Sequence, residues 1–364
     1  MVLRSRHLRD VRRAQAVVKE QSQVRQTVTA AQGGLMSLSM TLTRTVGRFV
    51  YRTPTRPTSR RPIHSLDPHR CAAPPPMSLR RRCFISRIHT EGRLALRLDP
   101  IQNSADIEVV YLHGGGYLHP LSRWHWDTIS RVIARTGASV TVPLYGLAPQ
   151  HTVDQAIPVL DSVYRQVVDA AEGRRLVLMG DSSGGALAVA QAIRARDEGL
   201  RAADRIVLLS PWVDASLTNP TARALERRDI KLRCDTLVEA ARHWAGERKT
   251  TDPMVSPIND SLADLPAMTI YQGGHDILRP DVRLFAAKAR AAGTRVDMRE
   301  APDGFHVYTS AFWTPEGRAA WEGIRDAVRG TTADGLPCHT FRDIPDAVPA
   351  PLPVTLPRAE HPNQ

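Results

Sequence analysis

The sequence predicts an α/β protein with a mostly parallel sheet and helices on both faces. Short apolar runs have the length and composition of buried strands, and they lie at residues 107–112, 139–144, 175–179, 205–209, 268–271 and 295–299. Longer periodic stretches separate these runs and predict helices at residues 124–136, 153–171, 186–197, 282–292 and 316–328. Strands that alternate with helices form a parallel sheet covered on both sides.

Residues 84–98 precede this alternation and predict an antiparallel pair of strands at the leading edge of the sheet. Ligands of such sheets bind beyond the carboxyl ends of the strands. The residues that directly follow each predicted strand are therefore the ones in which to look for function.

The positive charge of the chain is concentrated near its beginning. The net charge is +12, but residues 1–98 hold 20 Lys or Arg against 4 Asp or Glu, a balance of +16, so the remainder carries −4. A nucleic-acid-binding role would rest on this arm alone, because the part that resembles a globular enzyme is mildly acidic. We expect one catalytic domain over residues 81–330 and no nucleic-acid partner.

The two ends of the chain have the composition of irregular segments. Residues 1–80 are rich in Arg, Ser, Thr and Pro, and we expect a largely irregular arm that belongs in part to a cap or lies upstream of a true start at Met36 or Met40. Residues 331–364 predict a Pro-rich disordered tail.

Cysteine spacing and hydropathy favour a cytoplasmic protein. The cysteines are far apart in the sequence and form no metal-binding or disulfide pattern; they are Cys71, Cys83, Cys234 and Cys338. No run of 18 or more apolar residues exists, so we expect no stable membrane insertion.

A candidate nucleophile follows the predicted strand at 175–179. Residues 180–185 read Gly-Asp-Ser-Ser-Gly-Gly and lead into an Ala-rich helix, which is a G-x-S-x-G pattern in a strand–turn–helix context. Small residues are needed two positions before and after the serine because the turn is strained. The register selects Ser182, since Ser183 would require glycine at position 181.

A glycine run follows the predicted strand at 107–112. Residues 113–117 read His-Gly-Gly-Gly-Tyr, and consecutive glycines leave backbone N–H groups accessible to a substrate oxygen. The predicted oxyanion-hole donors are the amides of Gly114, Gly115, Gly116 and Ser183. A phosphate-binding loop is the alternative, but no Lys-Ser/Thr follows and no G-x-G-x-x-G is present.

A serine nucleophile needs a base and an orienting carboxylate, and the chain order Ser, Asp, His is satisfied. Asp276 follows the predicted strand at 268–271, and His306 follows the one at 295–299. Alternatives remain for both roles. His275 is a further histidine, and the other acids within reach are Asp281, Asp303 and Glu300.

These motifs resemble those of the hormone-sensitive-lipase-like branch of the α/β-hydrolases, over about residues 84–329. The resemblance implies the α/β-hydrolase fold with a helical cap, here the insertion at about 215–260. It also implies a catalytic triad of Ser182 as nucleophile, His306 as general base and then acid, and Asp276 as the group that orients the imidazole. Residues 252–257 and 273–278 are similar to those of bacterial esterases and lactone hydrolases that act on small acyl groups.

Two positions depart from the pattern of that branch. Ser183 stands where alanine is usual, and its backbone amide should stay available. Residues 142–149 read Val-Pro-Leu-Tyr-Gly-Leu-Ala-Pro where a D-Y-R-L-A-P stretch is usual. The loss of an Asp and an Arg predicts different bonding within that turn.

The implied activity is hydrolysis of a small-molecule carboxylic ester through an acyl-enzyme, with no metal or organic cofactor. Hydrolysis of a lactone or amide stays open, because the fold and triad do not fix the leaving group. A non-catalytic small-molecule-binding protein of the same fold is the alternative from another class, and such receptors lack the triad histidine. A homodimer is one assembly open to the chain, and the sequence does not determine the oligomeric state. Four tryptophans are candidates to line the pocket, namely Trp124, Trp126, Trp212 and Trp244.

Overall fold

The computed structural model describes residues 39–47, 63, 66–67, 70–90 and 92–331. The expectations for residues 1–38, for Met36, for Cys338 and for the tail beyond residue 331 lie outside these described residues. Among the described cysteines, which are Cys71, Cys83 and Cys234, no disulfide is formed.

The core of the protein is an eight-stranded sheet. Its strands are β1 (Cys83–Thr90), β2 (Arg93–Pro100), β3 (Ile107–Leu112), β4 (Ser139–Pro143), β5 (Arg175–Asp181), β6 (Arg205–Leu209), β7 (Met268–Gly273) and β8 (Val296–Ala301). Their order across the sheet is β1-β2-β4-β3-β5-β6-β7-β8. The strands β3 to β8 are parallel, and the antiparallel hairpin of β1 and β2 joins the edge of β4. The predicted fold class and the predicted leading-edge pair are therefore confirmed.

Helices connect the strands and cover both faces of the sheet. Within the described residues they are α1 (residues 39–47), α2 (Met77–Arg80), α3 (Arg123–Thr136), α4 (Val153–Ala170), α5 (Ser183–Asp197), α6 (Pro220–Leu225), α7 (Cys234–Ala245), α8 (Arg279–Ala291) and α9 (Pro315–Arg329). In this described part of the chain, no helix combines the length and apolar character needed to cross a membrane.

Strand β3 at the centre of the sheet contributes to two separate apolar layers. Val110 and Leu112 of β3 face the layer that contains α4, α5 and α8, whereas Val109 and Tyr111 face the layer that contains α3 and α9. This division follows from the alternation of side chains along a strand. Because both faces are covered, every residue of β3, β4 and β7 is buried, which explains why these strands are mostly apolar or small in the sequence. Glu108 of β3 is an exception, and its buried carboxylate forms ion pairs with Arg97 and Arg174.

Part of the N-terminal arm, which the sequence predicts to be largely irregular, is helical. Residues 39–47 form α1, in which Met40 is fully buried against the layer of α3 and α9. Arg44 of this helix forms an ion pair with Asp303 at 3.4 Å. Trp313 Nε1 donates a hydrogen bond to Thr43 Oγ1 at 3.1 Å. Long-range partners of this kind stabilise a helix that its local composition does not predict.

Candidate active site

The turn between β5 and α5 holds Ser182 in a strained conformation. Its backbone has φ 52° and ψ −123°, and a side-chain-bearing residue in such a region costs roughly 1–3 kcal/mol. Two glycines make the turn sterically feasible. A Cβ on Gly180 would overlap the carbonyl oxygen of Gly184, and a Cβ on Gly184 would overlap that of Leu112. The serine hydroxyl is thereby presented at the carboxyl end of β5.

The structure brings together the three residues that the sequence placed on separate loops. His306 Nε2 lies 3.0 Å from Ser182 Oγ, and His306 Nδ1 lies 2.8 Å from Asp276 Oδ2. The other carboxylate oxygen of Asp276 accepts the N–H of Leu278 at 2.9 Å. A carboxylate can only accept, so Nδ1 carries the proton and Nε2 is left to accept the serine hydroxyl. All three side chains are buried.

The alternative acids and the second histidine are engaged elsewhere. His275 Nε2 faces Asp303 at 3.3 Å. Asp281 accepts a hydrogen bond from an asparagine side chain, and burial raises its pKa to about 6. Glu300 forms ion pairs with Arg279 and Arg283. Among the described contacts, the carboxylate hydrogen-bonded to the His306 imidazole is that of Asp276.

A buried carboxylate that sequence reasoning missed lies behind the acid loop. Asp229 Oδ1 accepts the N–H groups of Lys231 and Leu232, and its Oδ2 accepts the N–H of Ile277 at 3.0 Å. Because Ile277 directly follows Asp276, this bond fixes the loop that carries the acid. Burial raises the pKa of Asp229, and the negative charge of Asp276 raises it further. No pattern in the sequence links positions 229 and 277, since Asp229 stands in an Arg-rich stretch typical of an exposed segment.

The glycine loop after β3 lies against Ser182, and its first amide is already bound. Gly114 N donates to Asp181 Oδ1 at 3.0 Å, so this amide is directed to the elbow rather than to a substrate. The amides of Gly115 and Gly116 have no hydrogen-bond acceptor within the described part of the chain. Ser183 is the first residue of α5, so its N–H has no acceptor inside the helix. Of the four predicted donors, these last three are the ones that the structure leaves available.

Asp181 is the centre of a buried polar cluster beside the nucleophile. Tyr111 Oη donates to its Oδ1 at 2.6 Å, and His125 Nε2 lies 3.6 Å from its Oδ2. Burial alone would raise the pKa of Asp181, but electrostatic attraction by His125 and the hydrogen bonds to the carboxylate lower it to about 2. His125 Nδ1 accepts the N–H of Ser122, which places the imidazole proton on Nε2, toward the carboxylate. Residue 181 was treated in the sequence only as a position of the elbow motif.

Residues 142–149, which differ from the stretch usual in related hydrolases, are hydrogen-bonded to the glycine loop. Tyr145 Oη donates to the carbonyl oxygen of His113 at 2.6 Å, and the two rings stack with centroids 4.6 Å apart. Burial and, to a smaller extent, the neighbouring His125 lower the pKa of His113 to about 4, so the ring stays neutral. Ala148 N donates to the carbonyl oxygen of Tyr117 at 2.9 Å. Backbone and aromatic contacts thus hold this turn, in which the sequence predicted different bonding.

Ser183, which stands where alanine is usual, also contacts the glycine loop. Tyr117 N lies 3.4 Å from Ser183 Oγ, so the hydroxyl that replaces a methyl group accepts a weak hydrogen bond from the loop. The Tyr117 ring stacks on Trp244 with centroids 4.3 Å apart and is tilted against Trp212 at 5.4 Å. Trp244 belongs to α7, and Leu237 of the same helix lies 3.9 Å from where a Cβ of Gly116 would be. The helix α7 therefore covers the glycine loop.

The other two tryptophan candidates do not share this position. Trp126 is buried in the layer of α3 and α9, where its Nε1 donates to the carbonyl oxygen of Ala73 at 2.7 Å. Trp124 is exposed on the surface. The helix α3 is amphipathic, and residues two apart on a helix do not share a face. Trp124 lines a small surface cavity between α3 and α9 together with Phe312. Neither Trp124 nor Trp126 therefore shares the position of Trp212 and Trp244 against Tyr117 of the glycine loop.

The sequence of this chain is similar to those of known hydrolases. The family described as alpha/beta hydrolase fold matches residues 109–310. An acetyl-hydrolase from Streptomyces hygroscopicus is 30% identical over 233 residues, which are 63% of this chain and 77% of the relative. An esterase from Acinetobacter venetianus is 27% identical over 230 residues, which are 62% of this chain and 75% of the relative.

Solved structures show the same likeness. A mutant of the esterase E40 is 27% identical with a TM-score of 0.66, and the match covers 79% of this chain and 97% of that one. A hormone-sensitive-lipase homologue from a metagenome library is 25% identical with a TM-score of 0.67, covering 81% of this chain and 98% of that one.

Proposed function

Because this chain belongs to the α/β-hydrolase fold family, in which its relatives are esterases and acetyl-hydrolases, we propose that it cleaves carboxylic esters of small acyl groups through Ser182, His306 and Asp276. The observation that carries the proposal is the chain of contacts from the Ser182 hydroxyl through the His306 ring to the Asp276 carboxylate, at 3.0 and 2.8 Å. Both distances are within hydrogen-bond range, as general-base activation of a serine requires.

The first half-reaction is acylation of the serine. His306 Nε2 takes the hydroxyl proton while Ser182 Oγ bonds to the ester carbonyl carbon, and the carbonyl oxygen becomes an oxyanion. The amides of Gly115, Gly116 and Ser183 would donate to that oxyanion. As the tetrahedral intermediate collapses, the bond to the alcohol oxygen breaks, and His306 returns the proton to this leaving group. Asp276 keeps the imidazole oriented and stabilises its protonated form.

The second half-reaction releases the acid. A water molecule gives a proton to His306 Nε2 and adds to the acyl carbon, and the same amides hold the oxyanion. Collapse breaks the acyl bond, and the proton returns to Ser182 Oγ. Every proton moves through one ring nitrogen, which is why a single histidine suffices for both steps.

The two alternative functions are weaker. A non-catalytic binding protein needs no base against its serine, whereas His306 is buried and positioned between Ser182 and Asp276. Lactones and amides would use the same atoms, and the name esterase of a relative favours esters over them. The turnover of esters, lactones and amides of equal acyl length would separate these substrates.

The test of the proposal combines substitution with covalent labelling. Ser182→Ala and His306→Ala should each reduce kcat on 4-nitrophenyl butanoate by roughly 10⁴-fold or more, and the double variant should be little worse, because the residues act as a unit. A fluorophosphonate should add one mass increment to the parent and none to Ser182→Ala. A folded Ser182→Ala protein that keeps a tenth of the parent rate would refute the assignment.

A further inference from the structure

A cationic side chain lies against the residue that precedes the proposed catalytic histidine. Lys231 is an exposed residue between α6 and α7, and its Nζ lies 4.9 Å from the centroid of the Phe305 ring. Phe305 directly precedes His306. Six residues further along, Leu237 reaches the glycine loop next to Gly116. The segment 231–237 therefore runs from the histidine side of Ser182 to the oxyanion side.

The ammonium group of Lys231 is not paired with a carboxylate. Within the part of the chain that the structure describes, its Nζ forms no hydrogen bond or ion pair, and the Phe305 ring is its recorded neighbour. Nearby carboxylates already have other donors on both oxygens. Asp229 binds three backbone amides, and Asp276 binds His306 and the Leu278 amide. An ammonium with all three donors available is able to bind a ligand anion.

Backbone hydrogen bonds connect Lys231 to the loop that carries the catalytic acid. The N–H of Lys231 donates to Asp229 Oδ1 at 2.8 Å, and Asp229 Oδ2 accepts the N–H of Ile277 at 3.0 Å. Ile277 directly follows Asp276, whose carboxylate contacts the His306 ring. Lys231 therefore lies beside the acid loop through its backbone and beside the histidine loop through Phe305.

We propose that Lys231 selects esters that carry a carboxylate group a few bonds from the scissile carbonyl. The inference rests on the proposed function, since it names the substrate class of that same site. The ammonium would pair with the substrate carboxylate, while the buried Phe305 ring holds the lysine side chain next to His306. One ammonium matches one compact anion, whereas a planar guanidinium would be expected for a bidentate site. Partial removal of the pair from water makes the interaction stronger than at an open surface.

The experiment compares charged and neutral esters of nearly the same shape. Monoethyl succinate and ethyl succinamate differ by a carboxylate against an amide on the acyl side. The pair 3-acetoxypropanoate and 3-acetoxypropanamide places the same difference on the alcohol side. For each pair, the ratio of kcat/KM for the charged ester to that for the neutral ester is measured in the parent, in Lys231→Met and in Lys231→Arg. Lys249→Met is the matched control, because Lys249 is an exposed lysine beyond the end of α7.

The ratio should fall about tenfold in Lys231→Met for at least one pair, which corresponds to about 1.4 kcal/mol, mostly through KM. Lys231→Arg should keep most of it, and Lys249→Met should keep both the ratio and the parent activity. Added salt should lower the ratio in the parent and have little effect on it in Lys231→Met. An unchanged ratio for both pairs in a folded Lys231→Met protein would overturn the inference while ester hydrolysis stands. If no ester is hydrolysed by the parent, the proposed function itself fails.

Discussion

Asp181→Asn is the substitution that best separates positioning of the glycine loop from the chemistry of the triad. The asparagine has the same shape as the aspartate but no charge. The oxygen of the asparagine side chain would still accept the hydrogen bonds of Tyr111 and Gly114. Its NH2 group would face the Nε2–H of His125, and two donors cannot hydrogen-bond to each other. The charge-assisted bond to the Gly114 amide becomes an ordinary one, and the loop loses part of what fixes it beside Ser182.

The size of the stability effect follows from the pKa of Asp181. The pKa falls from its ordinary value of 3.8 to about 2 in the folded protein, so ionised Asp181 stabilises the fold by about 2 kcal/mol relative to its neutral form. Because the folded-state pKa is depressed, this stability is fully present above pH 3.8 and is lost as the pH falls toward 2. An asparagine resembles the neutral form at every pH. The parent should therefore exceed Asp181→Asn by about 2 kcal/mol near neutral pH and by much less near pH 2 to 3.

Activity provides the second measurement. A displaced oxyanion donor costs less than a deleted one, for which losses of roughly 10²–10³ in kcat are typical, so Asp181→Asn should lose about 10- to 100-fold in kcat with little change in KM. Tyr111→Phe is the matched variant, because it also removes a hydrogen bond to Asp181 but has no recorded contact with the glycine loop. It should lower stability and cost less than about fivefold in kcat. Equal kcat values for the two variants, both within twofold of the parent, would refute the argument.

Two further predictions concern the acyl group and the elbow. Butanoyl esters should be hydrolysed clearly faster than dodecanoyl esters, because α7 covers the glycine loop, where Leu237 packs beside Gly116. A steady increase of kcat/KM with acyl-chain length across a series of 4-nitrophenyl esters would contradict this. Ser183→Ala should retain kcat/KM within about threefold, since its hydroxyl makes one weak 3.4 Å contact with the Tyr117 amide and its own amide is kept. A loss of 100-fold or more would assign the hydroxyl a catalytic role.

The strands of the sheet could be predicted from the sequence because burial on both faces makes them apolar runs without alternation. The prediction for β3 matches the observed bounds, and that for β4 differs by one residue. Helix starts were less accurate. The helix α5 begins at Ser183 rather than at 186, because the glycines of the elbow adopt helical geometry where propensity alone disfavours it. The helix α8 begins at Arg279 because Pro280 suits the first turn.

The residues of the site likewise include some that the sequence predicts and some that it does not. Ser182, Asp276 and His306 could be predicted because each follows a strand and the carboxyl ends of parallel strands meet at one edge. Asp229 and His125 could not. Their partners lie 48 and 56 positions away in the sequence, and neither residue follows a strand, so only tertiary packing brings them to the site. The hydrogen bond from the Gly114 amide to Asp181 could not be predicted either, because nothing in a run of three glycines shows which amide is already bound.

A buried negative charge beside an oxyanion hole needs compensation, and the structure shows how the charge of Asp181 is offset. An uncompensated carboxylate at that position would oppose the oxyanion that forms during acylation, since both are negative and the intervening medium has a low dielectric constant. Tyr111, the Gly114 amide and the Nε2–H of His125 direct their positive ends to the carboxylate. The Gly115 and Gly116 amides are therefore held on a loop whose anchor is already satisfied. They need no rearrangement when the substrate oxygen becomes charged, which is the condition under which fixed donors lower a barrier.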